Sequence, residues 1–146
     1  MEVLAAGNEY EDLRQIKLEC FSYAKEHFQG QVFYNVSRGV QIRVSRTGLN
    51  EWFAKTKSYE QAQSIKFLGE ILRCAEYSHS AANNHPKKGD EHSTFDYYRY
   101  PFEWDGKKFC VVLTIKNIAG QGGIYYHHYL AKNQAALKHD SARFGY

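Results

Sequence analysis

The spacing of apolar side chains changes several times along the chain, and each change marks an element. Leu13, Ile16, Cys20, Tyr23, Ala24 and Phe28 recur at steps of three and four residues, which predicts an amphipathic helix from an N-cap at Asn8 to about Phe28. Gly30, tolerant of left-handed backbone, ends it. From Gln31 to Val36 and from Val40 to Val44 the period falls to two, and Ser37-Arg38-Gly39 between these runs predicts a hairpin. A second helix is predicted from Ser58 to about Tyr77. Ser58 and Gln61 fit a capping box, and Ile65, Leu68, Ile71, Leu72 and Ala75 form its stripe. The polar run from Ser78 to Thr94 reads as the one long loop.

Phe95 to Trp104 and Lys107 to Ile115 read as strands joined by Asp105-Gly106, the strongest short hairpin signal in the chain. Phe109, Val111, Leu113 and Ile115 share one face of the second strand; Cys110, Val112, Thr114 and Lys116 share the other. Gly120-Gln121-Gly122-Gly123 is a loop, Ile124 to Leu130 a last strand, and Ala131 to Lys138 a short helical end. The order is N-terminal helix, hairpin, second helix, three-stranded meander. That order predicts an α+β fold, an antiparallel sheet of five strands with helices on one face, in a single domain over residues 1–146.

Composition adds exclusions. With 43% hydrophobic and 24% charged residues, 12 Tyr, 9 Phe and only 2 Pro, the chain is unlike a disordered one. No apolar run is long enough to span a bilayer. Glu2, Glu9, Glu11 and Asp12 do not fit the start of a signal peptide. Three dispersed cysteines, Cys20, Cys74 and Cys110, form no metal-ligand pattern, all read as buried, and fit a reducing, cytoplasmic setting. The reading calls for no cofactor, no metal and no membrane. A net charge of +3 permits a nucleic-acid partner without requiring one.

Candidate chemistry concentrates in Tyr125-Tyr126-His127-His128-Tyr129. Imidazole titrates near neutrality and so suits general acid–base work, although cross-strand hydrogen bonding among tyrosines fits both histidines as well. With Ile124, Tyr126 and Leu130 facing the helices, strand alternation puts His128 on their side and His127 with Tyr125 and Tyr129 on the other. Arg43 on the first hairpin, with Thr114 and Lys116 on the later one, can share that other face. There they could hold a phosphodiester and stabilise charge on its oxygens, or form a solvated sheet surface. Lys55, Lys57 and Lys66 bracket the start of the second helix, and Lys57 is a candidate phosphate clamp. His79, His85 and His92 read as surface histidines.

Several segments resemble the barnase–EndoU–colicin E5/D–RelE group of nuclease-like domains, found in polymorphic toxins and in phage and mobile-element polyvalent proteins. They are Phe28-Gln29-Gly30-Gln31-Val32-Phe33-Tyr34-Asn35-Val36, the stretch Gly39 to Gly48, the helix Ser58 to Tyr77, the block Tyr97 to Thr114, and Tyr125 to Leu130, which together cover residues 25–132. The resemblance implies metal-independent RNA cleavage through attack of the ribose 2′-hydroxyl on the adjacent phosphodiester. It implies tRNA or single-stranded RNA as substrate, and a cognate immunity protein as a further partner. His128 or His127 would be the acid or base, Lys57 and Arg43 would neutralise the phosphate, and Tyr126, Thr114 and Lys116 would hold the substrate. No barnase-like glutamate base stands in the central strands; Glu103 precedes the turn. A non-enzymatic domain that binds a host protein or nucleic acid through an aromatic, basic sheet face is the alternative.

Overall fold

The computed structural model describes residues 9–87 and 92–132. The first helix, α1 (Glu9–His27), buries Cys20 and Ala24, with Ile16 packed beside them, along the expected stripe. Gly30 at φ +83° turns the chain, and its N–H donates to the Val44 carbonyl (2.8 Å), which starts the hairpin β1 (Val32–Asn35) and β2 (Val40–Arg43). Asn8, the expected cap, lies outside the described residues; of the expected helical end Ala131 to Lys138, Ala131 is instead the last residue of a strand, and positions from 133 lie outside them.

Between the hairpin and Ser58 stands a helix that the apolar spacing of the sequence does not predict, α2 (Arg46–Lys55). Ser45 caps it by accepting from the Gly48 N–H (3.2 Å), and Leu49 and Trp52 are buried. The predicted helix from Ser58 to Tyr77 is broken in three: α3 (Tyr59–Ser64), a 3₁₀ turn (Ile65–Phe67) and α4 (Leu68–Cys74). Its stripe is nonetheless right, since Ile65, Leu68, Ile71, Leu72 and Ala75 are all fully buried. Tyr77 is not helical. It lies in β3 (Glu76–Ala82), a mostly exposed strand that runs from the end of the predicted helix into the stretch read as a loop. Cys74 is exposed, unlike Cys20 and Cys110, because it sits in the last turn of α4.

The remaining strands are β4 (Thr94–Trp104), β5 (Lys107–Ile118) and β6 (Gly122–Ala131). Among the described residues six strands, not the five expected, form one sheet in the order β1-β2-β6-β5-β4-β3. It is antiparallel except where β2 meets β6 in parallel at Ile42–Gly123 and Arg43–Ile124. The fold class is α+β as expected. Val111, Leu113 and Ile115 of β5 pack with Tyr98, Phe102 and Tyr125 against the buried helix stripes.

Two devices complete the sheet. Beyond Ile124, β6 has no strand on its β2 side among the described residues, and α2 and α3 cover it instead. A methyl group on Gly48 would run into the Tyr125 carbonyl oxygen, so α2 lies directly against the β6 backbone. Gln61 of α3 then behaves as a peptide unit of a missing strand: its Nε2 donates to the His128 carbonyl (2.5 Å) and its Oε1 accepts from the Leu130 N–H (3.0 Å). At the other extreme the sheet curls until its ends meet. Arg38, in the β1–β2 turn, pairs with Asp96 of β4 (2.9 Å) and lies over the Tyr77 ring of β3 (3.9 Å from its centre). Ser37 Oγ accepts from the Tyr77 N–H (3.1 Å).

Candidate nucleic-acid interface

A bulge decides which side chains β6 presents. Thr114 pairs with His127 and Ile115 with Tyr125, so Tyr126 is an extra residue with no partner on β5. Strict alternation would put Tyr125 and His128 on opposite faces. With the extra residue between them, both point into the helix-covered core, where both are fully buried. This reverses the expected orientation of Tyr125 and Tyr126. The Tyr125 hydroxyl bonds His128 Nδ1 (2.7 Å), and Ser64 Oγ bonds His128 Nε2 (2.7 Å). Both ring nitrogens of His128 are therefore occupied. Burial, then the neighbouring His127, lowers its pKa to about 3, so the ring is neutral at pH 7.

His127 lies on the opposite face beside Thr114. It is half-buried, and its Nδ1 has no hydrogen-bond partner among the described residues. Burial lowers its pKa to about 4; Lys55 adds to the effect and Glu51 opposes it. Thr114 is only 8% exposed, because Tyr97 and Ala131 pack around Cys110 and Val112 and cover the middle of this face. The face expected to be open is thus closed at its centre and polar at its margins.

One margin is cationic and aromatic. Lys116 Nζ stands 5.7 Å from the centre of the Tyr126 ring and 5.9 Å from that of Phe95, and these two rings lie 5.2 Å apart. Lys55 Nζ approaches Tyr126 as well, at 5.3 Å, while pairing with Glu51 (2.8 Å). Arg43 is exposed on β2, in register with Ile124, which pairs in turn with Lys116.

The second margin is a cleft of about 640 Å³ at the end of the sheet, between the α2–α3 junction, the start of β5 and the end of β6. Lys55, Lys57, Lys107, Lys108 and Lys132 line it with Glu60 and Tyr129. Glu51 takes Lys55 and Glu60 takes Lys107 (3.4 Å), so Lys57, Lys108 and Lys132 face the cleft without a carboxylate among the described residues. Tyr129 is 44% exposed, and its ring lies 6.3 Å from that of His127.

Of the sequence candidates, Thr114, Lys116, Tyr126 and His127 are neighbours on one face. Lys57 stands in the lysine cleft, which Arg43 does not line, and His128 is withdrawn into the core. Lys107, Lys108, Lys132 and Tyr129 were not singled out as site residues. The Lys107-Lys108 pair at a hairpin tip was visible, but nothing local connects it with Lys57. The family described as large polyvalent protein-associated domain 3 matches residues 11–126. No curated protein and no solved structure matches the chain.

Proposed function

The chain belongs to the large polyvalent protein-associated domain 3 family, and from that premise we propose that it is a module that binds single-stranded RNA. The observation that carries this reading is the lysine cleft, where three lysines in no ion pair among the described residues line a cavity beside the exposed Tyr129 ring. Lysines supply sequence-independent attraction to phosphates, and exposed rings give bases a surface to stack on. The Tyr126–Lys116–Lys55 margin extends the same chemistry along β6. The test is fluorescence anisotropy with labelled single-stranded RNA across a salt series. Lys57→Glu and Lys108→Glu should each weaken binding to all sequences alike and cut the slope of log K against log salt by about one. A wild-type protein that binds no RNA at low salt sinks the reading.

RNA cleavage is the second reading, and one observation favours it. His127 is neutral at pH 7 beside Lys55 and next to Tyr129, so it can take a proton near a bound phosphate. A base with its pKa near 4 is a weak one, which is why binding stands first. Incubation of tRNA with the protein and a chelator separates the two. Cleavage that is lost in His127→Ala, with RNA binding retained, supports the enzyme; intact RNA removes it.

A further inference from the structure

Where the sheet curls shut, its mouth holds a second cleft, of about 340 Å³, remote in the topology from the lysines. Ile42 and Ile115 give it apolar walls, and Gly122 and Gly123 take up little space at its rim. A methyl group on Gly123 would press on Ile115 Cγ2 at 3.1 Å, so a larger residue would begin to fill the space. The polar groups are few and fixed. Asp96 is 3% exposed and accepts from Ser80 Oγ (2.7 Å), Asn117 Nδ2 (3.3 Å) and Arg38. Arg38 also stacks on Tyr77, so its guanidinium is held by a carboxylate and a ring, with Tyr98 lining the same cleft. An apolar cleft with a few converging polar groups, at the mouth of a curled sheet, is the usual form of a small-ligand site.

The charges choose the ligand. Asp96 neutralises Arg38 at 2.9 Å, which disfavours a simple anion. What remains is the directional part of the guanidinium: five N–H donors in a rigid plane, of which Asp96 takes only some. Such a fork matches two adjacent acceptors on a planar ring. Asn117 donates its amide to Asp96, and its Oδ1 has no partner among the described residues, so an acceptor lies near the fork. We propose that this cleft binds a planar heterocyclic base whose edge carries two neighbouring acceptors followed by an N–H donor. Guanine, with N7 and O6 beside N1–H, and cytosine, with O2 and N3 beside its amino group, have that edge. Adenine and uracil alternate donor and acceptor and lack it. The inference does not depend on the lysine cleft.

The four ribonucleoside 5′-monophosphates test it, since their phosphate is common and only the base differs. Amide chemical shifts of the wild-type protein are followed on titration with each. GMP and CMP should move the amides of Arg38, Asn117, Gly122 and Gly123 and bind about tenfold more tightly than AMP and UMP. Arg38→Lys, which keeps the charge and removes the fork, should bring the four within twofold of one another. Oligo(C) and oligo(U) in the same assay separate the sources. If oligo(C) binds far more tightly than CMP while oligo(U) does not, the ligand is a base within a strand; equal affinity per base makes it a free nucleotide. Equal responses to all four nucleotides, or none at Gly122 and Gly123, would overturn the proposal.

Discussion

Gly48 shows how one atom can outweigh a propensity. Replacing a helical glycine by alanine gains about 1 kcal/mol from the backbone. Here the added methyl meets the Tyr125 carbonyl oxygen, a backbone atom that cannot rotate away, and crowding of that kind costs about 1–3 kcal/mol or more. Gly48→Ala should therefore lower the urea midpoint, and a raised midpoint would refute the close approach. The same scale explains why the two adjacent histidines differ. The chain sequence offers them as equals, and strand alternation alone puts one on each face. Only the extra residue Tyr126 brings His128 under the Tyr125 hydroxyl and Ser64. A bulge leaves little trace in a run as uniform as Tyr-Tyr-His-His-Tyr, because every residue in it is tolerated on either face.

At the level of elements, the weakest join is the bare edge of β6, and Gln61 is its closure. The sequence reading assigned Gln61 to a capping box. Ser58 does accept from the Gln61 backbone N–H (3.1 Å), but the side chain reaches β6 instead. Gln61→Ala should cost about 1–3 kcal/mol, from two lost hydrogen bonds to buried or half-buried backbone. It should also speed amide exchange at Leu130 selectively, and unchanged protection at Leu130 would show that the edge is closed by something else. The sequence disclosed α1, α4, β4, β5 and β6 by their buried stripes, and the β1–β2 hairpin by its short period and its Ser37-Arg38-Gly39 turn. The edge strand β3 escaped because it is mostly exposed and pairs only with β4, so selection of apolar residues at alternate positions is weak there. The helix α2 escaped because Thr47 and Gly48 are poor helix formers, and its stability comes from packing on β6.

For the whole molecule, the two histidines make folding sensitive to acid. Both have pKa values lowered by burial from an ordinary 6.5, to about 4 for His127 and about 3 for His128. The unfolded chain thus binds more protons below about pH 6.5, and unfolding is increasingly favoured as pH falls from there towards the folded-state values. Urea midpoints should be flat above neutrality and drop between pH 6.5 and 4. In His128→Phe the midpoint at pH 7 should be lower, since Ser64 and Tyr125 lose their partner, but the acid slope should be shallower. An unaltered slope would mean that His128 does not titrate with unfolding. The amino-acid sequence by itself determined the α+β class, the buried stripes and the aromatic–histidine cluster, because hydrophobic periodicity is a local record of which face meets the core. Tertiary structure alone decided that Tyr125 joins His128 in the core, that Lys57 shares a cleft with Lys108 and Lys132, and that Arg38 closes on Asp96. Those outcomes depend on a one-residue bulge, an uncovered strand edge and the curl of a sheet, all of which bring together residues tens of positions apart and leave no periodic mark on the chain.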